Sequence, residues 1–122
     1  MRKILIIFIF LFLLSGCSEK PHKIKLEVLG EINKADIKFS VNELDQVIDY
    51  AQLPWTYSFS AESDDYIFIM ANSSYSTGGV EKQLTVRIYD NDEIKAKNTV
   101  FRSFPSIYTY YTVEKITSFM GL

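Results

Sequence analysis

Apolar and polar residues alternate along several short stretches of the chain, a pattern typical of strands with one buried face. A nearly continuous apolar run also predicts a central strand of the sheet. Short polar stretches rich in Asn, Asp, Gly and Ser separate these segments, as turns do. The strands predicted in this way lie at 24–28, 37–41, 55–59, 66–71, 84–88, 94–102 and 107–111.

One segment has helical rather than strand spacing. Its apolar residues fall at i, i+3, i+4 and i+7 and are Leu44, Val47, Ile48 and Ala51. Asn42 is a suitable N-cap, and acidic residues follow it in the first turn, where the helix dipole favours them. Pro54 would end the helix. The pattern therefore predicts an amphipathic helix on one face of a sheet.

Thr112 could cap a short C-terminal helix that carries Val113, Ile116 and Phe119. Successive strands with short connections favour antiparallel pairing. We therefore expect an α+β fold with a mostly antiparallel sheet of about five or six strands. The amphipathic helix would pack on one face, and 24–122 would form a single domain.

The N-terminal segment is unlike the rest. Arg2 and Lys3 precede eleven unbroken apolar residues at 4–14, and small residues follow. This order is that of a secretory signal, and eleven residues rise only about 16 Å as a helix, too little to span a bilayer. The residues Leu14-Ser15-Gly16-Cys17 resemble the lipobox of bacterial lipoproteins. An ordinary signal with a chance cysteine, or an uncleaved anchor, is the alternative.

The resemblance implies cleavage between Gly16 and Cys17, lipidation of Cys17, and a protein held on the extracytoplasmic face of the cell membrane. It divides the chain into a signal peptide at 1–16, a lipidated cysteine and tether at 17–23, and the domain. Two or three acyl chains would make the membrane anchor lasting. The six polar residues 18–23 reach about 20 Å at most, so the domain would stay close to the membrane.

Charge and cysteine content exclude several classes of function. Without Arg2 and Lys3, 11 basic residues stand against 15 acidic ones, a net charge of −4. That balance argues against nucleic acid as a partner and against polybasic attraction to anionic lipid. Cys17 is the only cysteine, so lipidation would leave no thiol for a disulfide, catalysis or a metal site.

No group of residues points to catalysis. His22 is the only histidine, and its place in the tether predicts a solvated side chain outside any pocket. The acidic residues at 90–93 and 62–65 fit ordinary turns better than a calcium loop or a glycosidase pair. The Ser76-Thr77-Gly78-Gly79 loop lacks the lysine of a phosphate-binding loop. We therefore expect no catalytic residue, no cofactor and no metal site.

Aromatic residues are the remaining candidates for binding. Trp55, Tyr57 and Phe59 share one face of a predicted strand, and tyrosines cluster near the C-terminus. These rings can fill a small core or form a recognition face. The candidate ligand face consists of Trp55, Tyr57, Tyr108 and Tyr110. We expect a non-enzymatic module that binds a protein at the cell envelope, or alternatively cell-wall glycan or a small ligand.

The mature chain also resembles small Bacillus-type lipoproteins grouped as YhfM-like. The similarity includes the lipobox at Leu14 to Cys17, the strand near 24–29 and the segment 37–51. It ends with the strand start Asp65 to Phe68 and the pair Tyr108-Thr109. The resemblance implies an envelope lipoprotein and transfers no catalytic or binding residue.

Overall fold

The computed structural model describes residues 21–114, which form eight strands. The strands are β1 His22–Gly30, β2 Lys34–Val41, β3 Leu44–Gln52, β4 Trp55–Ala61, β5 Tyr66–Ser73, β6 Lys82–Asp90, β7 Glu93–Arg102 and β8 Ser106–Thr112. They make two four-stranded sheets, in which every strand is antiparallel to its neighbours. Sheet A has the order β4-β1-β6-β7, and sheet B has the order β3-β2-β5-β8.

The core lies between the two sheets. The alternation in each strand sends one set of side chains inward and the other outward, because successive residues of a strand face opposite sides. In β1 the inward set is Ile24, Leu26 and Val28, all fully buried. The same alternation buries Ile67 and Ile69 in β5 of the facing sheet. The fold is therefore a β-sandwich whose inner faces cover each other.

The sandwich has two ends, which we name after the ends of β1. The His22 end also holds the turns at 42–43, 62–65 and 91–92, because β1, β4, β5 and β6 begin or end there. The Gly30 end holds the connections at 31–33, 53–54, 74–81 and 103–105. A nine-residue strand spans about 30 Å between the two ends.

The predicted helix at 42–51 is wrong. Asn42 and Glu43 have φ values of 52° and 71°, and two successive left-handed residues form a tight turn between antiparallel strands. The Asn42 side chain stabilises this turn, since Oδ1 accepts a hydrogen bond from the Tyr66 amide and Nδ2 donates one to Asp65, both at 2.8 Å. The chain that follows is β3, which pairs with β2 along its whole length.

A β-bulge explains part of the helical spacing in β3. Ile37 lies opposite Ile48 and Ala35 lies opposite Ala51, so two steps along β2 match three steps along β3. Tyr50, inside the bulge, has a φ of 56°. The extra residue keeps Ile48 and Ala51 on the same inner face although they are three positions apart. The i, i+3 spacing of Ile48 and Ala51 thus comes from a bulge, whereas Val47 of the same pattern lies on the outer face opposite Lys38.

The predicted α+β class is accordingly wrong, because residues 21–114 are all β-structure, with eight strands in two sheets rather than five or six in one. Antiparallel pairing is confirmed. Thr112 belongs to β8 and does not begin a helix. The rest of the predicted C-terminal helix lies outside the described residues, as does the signal segment. Across 21–114 there is no helix of the length and apolarity needed to cross a bilayer.

We predict that Gly30→Ala destabilises the sandwich by about 2 kcal/mol, because overpacking of a rigid site has that cost. A Cβ at Gly30 would lie 2.4 Å from the backbone oxygen of Gln83 on β6. Gly79→Ala is the control. A Cβ at Gly79 meets nothing within 4 Å, although φ is +83°, so this substitution should lower the free energy of unfolding by only about 1 kcal/mol. Urea denaturation measures both. If Gly30→Ala lowered the free energy of unfolding no more than Gly79→Ala does, the close approach of Gly30 to the Gln83 backbone would be contradicted.

Candidate functional site

A buried hydrogen-bonded network joins the two sheets at the His22 end. His22 Nδ1 lies 2.9 Å and 2.8 Å from the two carboxylate oxygens of Asp90. Tyr111 donates its hydroxyl to Asp90 Oδ2 at 2.7 Å. An ionised carboxylate only accepts hydrogen bonds, so Nδ1 carries the proton that it donates. The network thus connects β1 and β6 of sheet A to β8 of sheet B.

The interpretation of His22 as a solvated tether residue is wrong. Its side chain is 3% exposed and it is the first residue of β1. The alternation of Ile24, Leu26 and Val28, continued one step towards the N-terminus, places His22 on the inner face. The same extension of the β6 pattern places Asp90 inside, although it was interpreted as part of an acidic turn. Only Asn91 and Asp92 form that turn.

Burial decides what the network can do chemically. His22 and Asp90 are 3% and 5% exposed, so a substrate cannot reach them without opening the sandwich. Desolvation, and then the hydrogen bond to Asp90, raise the pKa of Tyr111 far above its usual range. The arrangement is therefore a structural cross-link between sheets rather than a catalytic dyad. Within residues 21–114, no three His, Cys, Asp or Glu residues are grouped closely enough to hold a metal ion.

The outer face of sheet B carries an exposed aromatic surface, which we call the aromatic face. It consists of Tyr66, Phe68 and Met70 on β5 and Tyr108 and Tyr110 on β8. Tyr108 and Tyr110 are 55% and 58% exposed. Directly opposed residues of antiparallel strands face the same side, and so Phe68 lies opposite Tyr110 and Met70 opposite Tyr108. The five side chains form one continuous patch.

The four aromatic residues of the predicted ligand face do not lie together. Trp55 and Tyr57 are on β4, the edge strand of sheet A, on the side that faces sheet B. Their ring centroids lie 5.8 Å and 5.1 Å from that of Phe39, which closes this edge of the core. Tyr57 is still 47% exposed. Trp55 and Tyr57 therefore belong to an edge cluster, whereas Tyr108 and Tyr110 belong to the aromatic face.

A polar cleft of about 290 Å³ opens at the Gly30 end. Its walls include Lys34, Lys82 and Tyr75, and the loop residues Ser76 and Thr77 also contribute. This is the Gly-Gly loop that the sequence singled out, and Gly78 and Gly79 have φ values of 70° and 83°. Much of its polar chemistry is already used internally, since the Thr77 hydroxyl donates to the Ser103 carbonyl and the Ser76 hydroxyl accepts from the Gly78 amide.

Charged side chains on the outer face of sheet A form a second hydrogen-bonded group. Glu27 accepts hydrogen bonds from Arg87 at 3.1 Å and from the Tyr89 hydroxyl at 2.8 Å. The hydrogen bond between Arg87 and Tyr89 raises the pKa of Arg87. The ammonium of Lys25 lies 4.2 Å from the centroid of the Tyr89 ring, which is the geometry of a cation–π contact. This group is polar and gives sheet A a surface unlike the aromatic face.

Comparison with known proteins adds no family to this description. No protein-family model matches the chain, and no curated protein matches it.

We predict that Tyr111→Phe lowers the free energy of unfolding at pH 7 by about 1.5 kcal/mol, since a hydrogen bond to a buried carboxylate is lost. The pKa of Tyr111 is higher in the folded state than in the unfolded state. Its contribution is therefore fully present below pH 10 and is lost as the pH rises further. Denaturation midpoints of both proteins from pH 7 to 11.5 should converge at the alkaline end.

Tyr108→Phe is the control for this series, because it removes an exposed hydroxyl from the same strand. A difference between wild type and Tyr111→Phe that stayed constant across the pH range would contradict the buried hydrogen bond to Asp90.

Proposed function

We propose that this chain is a lipid-anchored, extracytoplasmic lipoprotein that binds a protein partner at the cell envelope through its aromatic face. The exposed patch of Tyr66, Phe68, Met70, Tyr108 and Tyr110 is the single observation that carries the binding role. In residues 21–114, neither a helix nor a third sheet packs on it. Tyrosine and methionine are enriched in protein interfaces, and exposed contiguous apolar patches mark such sites.

The arrangement of the rings favours a protein over a sugar. Ring centroids of Phe68 and Tyr108 are 5.8 Å apart at an interplanar angle of 29°, and those of Tyr66 and Tyr110 are 5.9 Å apart at 33°. Each ring therefore turns part of its face to a neighbouring ring. A sugar ring stacks on an open aromatic face, whereas a protein side chain packs equally well against ring edges and hydroxyl groups. Cell-wall glycan remains the second candidate ligand.

The anchor is supported by the sequence of the N-terminal segment. The charged start, the eleven apolar residues and the Leu14-Ser15-Gly16-Cys17 motif have the order that export and lipidation require. The YhfM-like resemblance supports the same envelope role. The proposal includes no enzymatic activity, because the His22–Asp90 pair lies inside the sandwich and was the only histidine-based candidate.

We predict that Cys17→Ser abolishes lipidation and leaves the uncleaved precursor, because serine cannot form the thioether to diacylglycerol. Growth with an alkyne-bearing fatty acid, followed by fluorescent coupling, should label wild type but not Cys17→Ser. Ser18→Ala is the control and should be labelled like wild type. Labelling of Cys17→Ser, or release of wild type in soluble form, would contradict the anchor.

We predict that a photoreactive phenylalanine derivative placed at Tyr110 cross-links to a protein of discrete mass in intact cells. Tyr108→Ala in the same chain should reduce the yield about 5-fold or more, since truncating a central aromatic anchor costs about 1–2 kcal/mol of binding free energy. The matched control is the same derivative at Tyr75, an exposed tyrosine at the Gly30 end, which should give no such product.

Two results would contradict protein binding through the aromatic face. Products that disappear on digestion of the cell wall with a muramidase would favour the glycan alternative. Equal products from positions 110 and 75 would show that the aromatic face has no special role.

A further inference from the structure

The two outer faces of the sandwich differ in charge. On sheet A the outward positions of β1, β6 and β7 carry four cations and one carboxylate. They are Lys23, Lys25, Arg87, Lys97 and Glu27, where Lys25 is opposite Tyr89 and Arg87 is opposite both Glu27 and Lys97. Glu27 is neutralised by Arg87 at 3.1 Å. The face therefore keeps a net charge of +3, although the mature chain as a whole is negative.

Two exposed apolar side chains share this cationic face. Phe101 lies opposite Gln83, and Ile94 lies opposite Tyr89, so both point away from the core. The outward residues of β4 on the same sheet are Thr56, Ser58 and Ser60, which are small and uncharged. Lysines beside exposed apolar side chains match the chemistry of a surface that meets anionic lipid headgroups.

Carboxylates are concentrated at the His22 end. We call this group the acidic rim, and it consists of Glu43, Glu62, Asp64, Asp65, Asp92, Glu93 and Glu114. Lys95 interacts with two of them, lying 2.7 Å from Glu93 and 3.9 Å from Glu114. The negative charge of the domain is therefore greatest where β1 begins, which is the end of the domain closest along the chain to Cys17.

The short tether makes the position of the acidic rim important for the orientation of the domain on the membrane. Four residues lie between Cys17 and His22 along the chain, at 18–21, so the start of β1 lies at most about 17 Å from the lipidated residue. A domain standing upright turns the acidic rim towards the anionic headgroups, and the rim is repelled wherever the tether lets it come within about one Debye length, roughly 8 Å, of them. A domain that lies with the outer face of sheet A on the membrane instead brings Lys23, Lys25 and Lys97 to the same headgroups.

We propose that the outer face of sheet A lies against the anionic phospholipid surface, so that the aromatic face of sheet B points away from the membrane. This inference rests on the proposed lipid anchor. Each cation near an anionic surface increases partitioning about fivefold, so three of them are enough to bias the orientation of a domain that is already tethered. The partner-binding face is then presented to the envelope space.

A single-cysteine label tests the orientation, because lipid occupies the only natural cysteine. The full lipidated protein is purified with either Ser58→Cys or Val47→Cys and labelled with an environment-sensitive fluorophore. Both positions are exposed and lie in the middle of edge strands, Ser58 on the outer face of sheet A and Val47 on the outer face of sheet B. Labels at the two positions therefore differ chiefly in which face of the sandwich they lie on.

The labelled proteins are bound to vesicles of phosphatidylcholine, with or without 30% phosphatidylglycerol, that contain a headgroup quencher. We expect the Ser58 label to be quenched at least 3-fold more than the Val47 label on anionic vesicles. Lys23→Gln with Lys25→Gln, or 1 M salt, should remove the difference. Equal quenching of both labels, stronger quenching at Val47, or a difference that does not need phosphatidylglycerol would overturn the orientation.

Flotation of the same samples separates this outcome from failure of the anchor. A lipidated protein floats with both kinds of vesicle whatever its orientation. Loss of flotation on neutral vesicles would overturn the anchor, and the orientation with it.

Discussion

The two sheets must cover each other's apolar faces, and most of the molecule follows from that requirement. Sheets pack about 10 Å apart, so the space between them takes one layer of side chains from each. Branched aliphatic residues such as Ile24, Ile69 and Val86 fill it. The rings of Phe39 and Trp55 pack against each other beside the edge strand β4. Tyr111 is buried at the His22 end, whereas Tyr66, Tyr108 and Tyr110 lie on the outer face of sheet B and form most of the aromatic face.

Most of the strand positions could be predicted from a period of two or, at 66–71, from a nearly continuous apolar run, with clear turns between them. The layer arrangement could not, since alternation shows that one face is buried without showing what buries it. A helix and a second sheet can each cover the apolar face of a sheet, and the alternation does not distinguish between them. The segment at 42–51 then favoured the helix, because the bulge at Tyr50 placed Ile48 and Ala51 three positions apart on one face, and the exposed Leu44 and Val47 completed the same spacing. Cross-strand pairing outweighed the local pattern.

The candidate site was predictable in part. Tyr108 and Tyr110, predicted from a cluster of tyrosines near the C-terminus, lie on the aromatic face, but Trp55 and Tyr57 belong to another part of the surface. Their separation depends on which sheet each strand joins, and no local pattern contains that information. The His22–Asp90–Tyr111 network joins residues that are 68 and 21 positions apart. Each residue lies two positions from an inward-facing residue of its own strand, so the alternation could have predicted that it is buried. The alternation could not have predicted that the three residues contact one another.

The bulge in β3 has a further consequence for a protein confined to a surface. The proposed lipid anchor would concentrate copies of the chain in a thin layer, where open sheet edges meet far more often than in solution. β3 is an edge strand of sheet B, and its backbone groups are available for pairing with another strand. The irregular backbone at Tyr50 and the carboxylates of Asp45 and Asp49 interrupt that edge. Under the proposed anchor, these features would oppose pairing of crowded copies through β3.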